Sequence, residues 1–259
     1  MNASAAELIT DINFQSRAVR TITATVDLAP TAGSVYSGVI QQYRDVRGFI
    51  LAERPGWIRM QGQAPVVRTD IFDMASDGQK FQVFIPSKQK FIVGSTAESR
   101  APQNSLENLR PQHIAEALLL QPVDAARDQD VIEEAEEGAQ RFYVLDVLGA
   151  CDGGRLYLKR KVWFDRSNLS IARVQLYGAK GSYQEDIHYS FYEDFGGIHY
   201  PRRIEITRPA EDYSLSMSLE SATFNQDIPA SKFVLKPPAT AQLVVLKTPP
   251  ASGGGPCGQ

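Results

Sequence analysis

Cysteine and histidine are scarce in this chain of 259 residues, which contains two of the first and three of the second. Cys151 and Cys257 are too few to form a disulfide framework. Two alternatives stay open for them: unrelated thiols, or one bridge that pins the C-terminal tail. Neither cysteine has the neighbouring His or Cys residues that a metal site requires. The sequence therefore predicts no metal site and no cofactor.

An excess of charge and a long apolar run are also missing. The formal net charge is -3, from 27 basic and 30 acidic residues, which gives no electrostatic footprint for nucleic acid. Because no stretch of about 18 apolar residues occurs, we expect no transmembrane helix. The N-terminal sequence MNASAAEL has neither the basic region nor the apolar region of a signal peptide. This start fits a cytoplasmic protein and equally a mature exported one.

Catalytic motifs are not found either. His113, His188 and His199 lie in no HExxH pattern, and the chain has no GxSxG motif and no phosphate loop. The acidic residues at 185–186 and 193–194 are typical of the solvated face of strands and turns more than of paired catalytic carboxylates. We therefore predict no catalytic residues and a protein that is not an enzyme.

The chain does contain segments in which apolar residues recur at regular spacing. Ser4 and Glu7 form a plausible capping box, and apolar residues at helical spacing follow them, which predicts an N-terminal helix. From about residue 20 the apolar period becomes two. It is cleanest at 213–220, where Tyr, Leu, Met and Leu alternate with polar residues. Such one-sided alternation indicates an antiparallel sheet with one covered face.

Residues 96–140 interrupt the strands. A short helix is expected between Pro111 and Pro122, and the acidic stretch 124–140 is interpreted as an exposed connection. Strands then resume up to the Pro/Gly-rich end. Asp77-Gly78 is a strong hairpin signal because glycine accepts the positive φ of such turns.

These patterns predict a mainly β (α+β) fold. About 11–13 strands with few helices between them argue against a parallel α/β sheet. The most economical architecture is one strongly curved antiparallel sheet, whose concave apolar face is too large to fill by itself and must be covered by helices. We expect one domain over 1–247 and a flexible tail over 248–259. Composition alone leaves open whether the concave apolar face packs solid or encloses a cavity.

The stretch 49–93 resembles the outer-membrane lipoprotein carrier and receptor superfamily of the LolA/LolB type. It has a strand that ends in Arg54-Pro55, an Arg-containing strand at 57–59, Ser-Asp-Gly at 76–78, and an aromatic strand from Phe81 to Pro86. The segments KVWFDRSNLSIARVQLYGAKG, FGGIHYPRRIEI and FNQDIPASKFVL are similar to later parts of the same pattern. The resemblance extends over about 7–246.

The resemblance implies an unclosed β-barrel, covered by the N-terminal helix and a short helical lid, with an apolar cavity that accepts acyl chains. It also implies that Arg54 is the lid latch, since the matching arginine of the carrier holds the lid closed by hydrogen bonds to helix carbonyls. Candidate ligand-binding residues are Trp57, Ile58, Phe72, Phe81, Val83, Phe91, Leu118, Trp163, Leu176, Phe191 and Met217. The sequence does not tell which strand parity faces inward.

Two functions remain in view. The first is a periplasmic carrier or receptor that binds a lipidated protein or a free lipid and works with inner- or outer-membrane transport partners. The second is a periplasmic sensor or scaffold whose concave face binds a protein. The segments 28–48 and 96–140 and the tail after 247 depart from the carrier pattern, which leaves the cargo open. The receptor form is anchored through an N-terminal lipidated cysteine, and no such cysteine stands here.

Overall fold

A computed structural model describes residues 2–32, 41–42, 46–64, 66–96, 110–151, 154–178 and 181–246. The helices within these residues are α1 (Ala5–Ala18) and α2 (Pro111–Leu118), and three single-turn 3₁₀ helices lie at Pro86–Lys88, Pro209–Glu211 and Ala230–Phe233. The strands are β1 (Thr21–Ala32), β2 (Gln41–Gln42), β3 (Val46–Glu53), β4 (Trp57–Gln63), β5 (Asp70–Ser76), β6 (Lys80–Ile85), β7 (Lys90–Ser95), β8 (Asp128–Glu137), β9 (Gln140–Ala150), β10 (Leu156–Asp165), β11 (Ile171–Tyr177), β12 (Tyr183–Asp194), β13 (His199–Arg208), β14 (Tyr213–Phe224) and β15 (Gln242–Val245).

All of these strands belong to one curved sheet. Its order is β15-β7-β6-β5-β4-β3-β1-β14-β13-β12-β11-β10-β9-β8, and β2 pairs with β1 beside this path. Every pairing is antiparallel except that of β15 with β7, which is parallel. The sheet does not close, because β15 and β8 are its two edges. The predicted fold class is therefore confirmed, with 15 strands in the sheet.

The N-terminal helix forms as the capping residues predict. The Ser4 hydroxyl accepts from the Glu7 backbone N–H, and the Glu7 carboxylate accepts from the Ser4 N–H at 2.8 Å. Leu8 and Ile12 are fully buried on the face that packs against the sheet. The predicted start of this helix is confirmed.

The short helix α2 packs against β4, β5 and β13. Pro111 occupies its first turn, where the missing N–H costs nothing. Ile114, Ala117, Leu118 and Leu119 are buried, so the predicted apolar side is confirmed. We call residues 111–122, which comprise α2 and the four residues after its last turn, the lid segment. Within the described residues no helix has the length and apolarity to cross a membrane.

The interpretation of 124–140 as a connection is wrong, because Asp128–Glu137 forms β8 and pairs with β9 along its whole length. Basic residues of the neighbouring strands and turns neutralise this acidic strand, which is why it forms despite its composition. The ion pairs are Lys159–Asp128, Lys161–Glu133, Arg166–Glu134, Arg141–Glu136 and Arg173–Glu137.

Side chains of β4–β7 fill the concave face on one side of the molecule, which we call the filled half. The residues Ile58, Met60, Phe72, Met74, Phe81, Val83, Ile85 and Ile92 point to this face and are buried. The Phe72 ring lies over Gly62, where an added Cβ would approach a ring carbon to 2.4 Å. This close approach shows how completely the space is used.

The chain after β14 crosses the convex face of the same strands. The Phe233 ring packs against Trp57 with centroids 5.5 Å apart, and Leu235 is buried with Ala75 and Phe91. Cys151 is disulfide-bonded, so the alternative of a free thiol is wrong at this position. Cys257 and the predicted flexible tail over 248–259 lie outside the described residues.

Candidate functional site

A cavity of about 590 Å³ lies between α1, the end of the lid segment and β11–β13, and it is partly open to solvent. We call the concave face of β11–β13 the open half. The cavity is lined by Asp11, Phe14, Gln15, Ala18, Val19, Arg54, Ala117, Leu118, Leu120, Asn168, Leu169, Ser170, Ile171, Tyr189, Tyr192, Gly197, Ile198, His199, Tyr200 and Pro201. Apolar and aromatic groups form most of its wall, as in typical ligand pockets.

Three tyrosines line the cavity with their rings and use their hydroxyls elsewhere. Tyr189 donates to the Ala117 carbonyl at 2.9 Å, and Tyr200 donates to the Leu118 carbonyl at 2.6 Å. Tyr192 donates to the carbonyl of Ile171 at 2.8 Å. Burial raises the pKa of each of these phenols, so all three remain neutral donors. Their polar ends hold neighbouring backbone while their apolar rings face the cavity.

Two arginines bind the carbonyls at the end of the lid segment. Arg54 donates through Nη2 to Leu120 O at 2.7 Å and through Nε to Val19 O, at the end of α1, at 2.8 Å. Arg160 donates to the carbonyls of residues 121 and 122, at 2.7 and 2.8 Å. These carbonyls follow the last turns of α1 and α2, where the backbone no longer makes helical bonds, and each guanidinium satisfies two of them.

The two arginines differ in their surroundings. Arg160 is only 7% exposed and burial lowers its pKa to about 10, while Arg54 is half-buried and lines the cavity. Burial also lowers the pKa of Arg54. Neither guanidinium has a carboxylate within 4.0 Å among the described residues, so their charges are balanced mainly by backbone dipoles.

Asn13 fastens α1 to the residue that follows the lid segment. Its side-chain amide donates to Val123 O at 3.1 Å and accepts from Val123 N at 2.8 Å. The end of the lid segment is therefore held from the sheet by Arg54, Arg160, Tyr189 and Tyr200, and this asparagine ties the next residue to α1.

A buried polar cluster supports the other end of α2. It comprises His113, Glu185, Arg208, Glu211 and Tyr213. Arg208 contacts the carboxylates of Glu185 and Glu211, and His113 Nδ1 lies 3.4 Å from the Tyr213 hydroxyl. Glu185 is fully buried and its Oε1 has no hydrogen-bond partner among the described residues. Burial raises the pKa of Glu185 to about 8.

The placement of 185–186 on a solvated face is therefore wrong. Glu185 points to the concave side beneath α2, where Arg208 compensates it. Asp186 is buried on the opposite side by Arg173, whose Nη2 lies 2.6 Å from the carboxylate. Glu193 and Asp194 are exposed, as expected. Among the described residues no group of three or more His, Cys, Asp or Glu could hold a metal ion.

Of the residues named from the sequence, Arg54 and Leu118 line this cavity. Other residues point to the concave side but contact core side chains. Ile58, Phe72, Phe81, Val83 and Met217 are buried in the core, and Leu176 packs against it. The convex face holds Trp57, Phe91 and Trp163, which contact Phe233, Leu235 and Phe142 respectively. These residues do not line this cavity, because strand parity and core packing direct their side chains elsewhere, and their contact with a ligand stays a prediction.

Phe191 is 69% exposed and also lies outside the lining of this cavity. Its backbone has a φ of 54°, in the left-handed region, which interrupts the alternation of β12. Tyr189 and Tyr192 consequently both line the cavity although three positions separate them. Sequence reasoning missed these tyrosines because it assumed an unbroken period of two.

Solved structures of similar architecture put this arrangement in context. A LolA superfamily protein of Nitrosomonas europaea aligns with a TM-score of 0.52 and 14% identity, over 88% of this chain and 97% of that one. The chain has a LolA-like fold. A putative outer membrane lipoprotein-sorting protein domain of Vibrio parahaemolyticus aligns with a TM-score of 0.54 and 13% identity, over 89% and 97% of the two chains.

A DUF1329 family protein of Desulfovibrio piger aligns equally well, with a TM-score of 0.53 and 13% identity over 89% of this chain and 95% of that one. A family model described only as that of an uncharacterized protein matches residues 122–236. No curated protein is significantly similar to the chain in sequence. At these identities the likeness describes the fold, and the function has to be argued from the site.

Proposed function

We propose that the protein binds an acyl chain, of a lipidated protein or of a free lipid, in the cavity of the open half and carries it through the periplasm. The observation that carries this proposal is an apolar cavity of about 590 Å³ beneath a lid segment held by exchangeable hydrogen bonds. The LolA-like fold supports it, since a protein of that fold is described as an outer membrane lipoprotein-sorting domain.

The energetics suit reversible carriage. Burial of an acyl chain contributes about 0.8 kcal/mol per CH₂. Release requires a second state in which the lid segment moves and the cavity wall opens. The carbonyls of residues 117, 118 and 120 are bound by side chains of the sheet, and water can replace these partners at a net cost of about 1 kcal/mol each.

The disulfide bond of Cys151 also supports a periplasmic location. Cys151 is disulfide-bonded, and disulfides persist in oxidising compartments such as the periplasm while they are rare in the cytosol. This observation favours the exported alternative left open by the N-terminal sequence.

The proposal is tested by filling the cavity from α1. Ala18 lines the cavity at the end of the helix, whereas Ala6 is exposed near its start and lies outside the lining. We expect Ala18→Trp to weaken binding of a fluorescent fatty acid at least tenfold, because the indole occupies the volume of the chain. Ala6→Trp adds the same group to the same helix and should bind as the unchanged protein does.

Extraction of the purified protein with organic solvent, followed by mass spectrometry, provides an independent measurement. Near-stoichiometric lipid in the unchanged protein and in Ala6→Trp, with little in Ala18→Trp, is expected. If none of the three proteins retains lipid or binds the fluorescent fatty acid, the carrier proposal is wrong and a scaffold function on the same concave face takes its place.

A further inference from the structure

The size of the cavity limits how many chains it holds. A water-sized or methylene-sized group occupies about 30 Å³, so about 590 Å³ accommodates roughly 20 such groups. One palmitoyl or oleoyl chain has about this many heavy atoms. Two chains of a diacyl lipid need about twice the space. In the filled half, packed side chains leave no adjoining room for a second chain among the described residues.

The wall of the cavity also carries a cation, Arg54, whose charge no carboxylate of the described residues neutralises. Arg54 uses Nε and Nη2 for the carbonyls of Val19 and Leu120, and Nη1 makes no hydrogen bond to any described residue. Asp11 is the one carboxylate in the described lining, and it forms no ion pair with Arg54.

Three other arginines, unlike Arg54 and Arg160, are paired with carboxylates. Arg59 contacts Asp73 at 2.7 Å and Arg173 contacts Asp186 at 2.6 Å. Arg20, whose carbonyl accepts from the Arg54 backbone N–H, has carboxylates of Glu53 and Asp227 at 3.6 and 2.7 Å. An unpaired guanidinium in a largely apolar wall attracts an anion more strongly than one already bound to a carboxylate.

We propose, building on the function proposed above, that the ligand is a single-chain amphiphile with an anionic head, and that Arg54 Nη1 binds this head while the chain occupies the cavity. The shared chemistry is a carboxylate or phosphate oxygen that accepts from the guanidinium. A free fatty acid supplies the first and a lysophospholipid the second.

This assignment couples binding to the lid segment. A charged acceptor competes with neutral carbonyls for the same guanidinium, because charge-assisted hydrogen bonds are the stronger ones. An arriving head group that binds across Nη1 and Nη2 therefore weakens the bond of Nη2 to Leu120 O. The ligand itself would loosen one of the contacts that hold the lid segment closed.

The experiment compares ligands that share a chain and differ in the head. Displacement of a bound fluorescent fatty acid is measured with palmitate, 1-palmitoyl lysophosphatidate, uncharged hexadecanol and two-chain dipalmitoyl phosphatidate. We expect the two single-chain anions to bind about tenfold more tightly than hexadecanol, and the two-chain lipid to bind more weakly than its one-chain counterpart.

Variants then assign the preference to Arg54. Arg54→Gln should reduce the ratio of anion to alcohol affinity to about one, and Arg54→Lys, which keeps the cation, should retain most of it. Arg20→Gln removes the same charge next to Arg54 and should leave the ratio unchanged. Binding of only one of the two anions supports the proposal and identifies the source of the head group.

Two negative results have different meanings. If palmitate, lysophosphatidate and hexadecanol all fail to bind, the acyl-chain function itself is wrong. If hexadecanol binds as tightly as palmitate, or Arg54→Gln keeps the anion preference, acyl binding stands and the role of Arg54 in head-group recognition is overturned. Should Arg54→Gln fail to fold, the ligand series on the unchanged protein and on Arg54→Lys still decides the anion preference.

Discussion

The concave face of β4–β7 is filled by its own side chains, whereas the concave face of β11–β13 leaves a cavity of about 590 Å³. In the filled half, Phe, Met and Ile side chains interdigitate beneath the start of α2. In the open half, tyrosine hydroxyls donate to backbone carbonyls, which fixes the positions of the rings at the cavity wall. Hydrophobicity alone therefore does not make a binding site, because the most apolar strands use their surface for packing.

The largest loss of stability is expected from a substitution that creates a cavity in the filled half. Phe81→Ala removes a fully buried ring and should lower the free energy of unfolding by about 3–5 kcal/mol, measured by urea denaturation. Ile198→Ala trims a half-buried side chain at the cavity and should cost less than about 1.5 kcal/mol. Equal losses at the two positions would abolish the distinction between the halves.

Next in size is the loss of Arg160. Arg160→Gln leaves the buried carbonyls of residues 121 and 122 short of partners and should destabilise the fold by about 2–3 kcal/mol. Amide hydrogen exchange at 115–119 should accelerate, because the end of the lid segment is released. Arg54→Gln should change this exchange less, since Arg54 is more exposed. Unchanged exchange in Arg160→Gln would mean that packing alone holds the lid segment.

The polar cluster beneath α2 predicts a pH dependence. Because burial raises the pKa of Glu185 to about 8, the folded protein binds a proton that the unfolded chain has lost in the same range. Stability should therefore fall as pH rises toward 8, by at most about 1.4 kcal/mol per pH unit. Burial, Arg208 and Arg110 lower the pKa of His113. This shift makes stability rise with pH, but only below the ordinary range of histidine.

The measurement is urea denaturation between pH 6.5 and 8.5, above the ordinary range of histidine. Glu185→Gln should flatten the pH profile in this window and down to the ordinary carboxyl pKa of 4.5, and leave the profile below that pH nearly as it was. A slope that persists in the variant would show that another group titrates.

The smallest effect is expected for single tyrosine hydroxyls. Tyr200→Phe leaves the Leu118 carbonyl without its donor at 2.6 Å and should cost about 1–2 kcal/mol. Tyr213→Phe is the matched control, since its hydroxyl has only a 3.4 Å contact with His113, and it should cost less than about 0.5 kcal/mol. Thermal unfolding of both variants distinguishes these values, and the reverse order would contradict a lid segment fastened by the open half.

Much of the fold could be predicted from periodicity. The capping box at Ser4 places the start of α1, Pro111 places α2, and the alternation at 213–220 predicts a strand with one covered face. The strand β8 was not predicted, because the charges of its acidic residues are balanced only by Lys and Arg residues outside the strand. Such pairing is a tertiary effect that a local pattern does not contain.

The site was less accessible to sequence reasoning. Arg54 came from the resemblance to a family, and Leu118 came from the apolar side of a short helix. Whether a concave surface is full or hollow depends on the summed volumes of side chains from many strands, which no single segment reveals. The left-handed backbone at Phe191 then redirects β12 locally, so Tyr189 and Tyr192 could not be paired from spacing alone.

The acidic edge strand β8 has a consequence for the behaviour of the protein in a crowded solution. Six of its ten residues are Asp or Glu, and none is Lys or Arg. If two copies approached through this unpaired edge, the charged side chains of both strands would have to leave water or give up their ion pairs, which opposes bonding between their backbones. A sheet that stays open to keep its interior accessible is thus protected against growing into a fibre along that side.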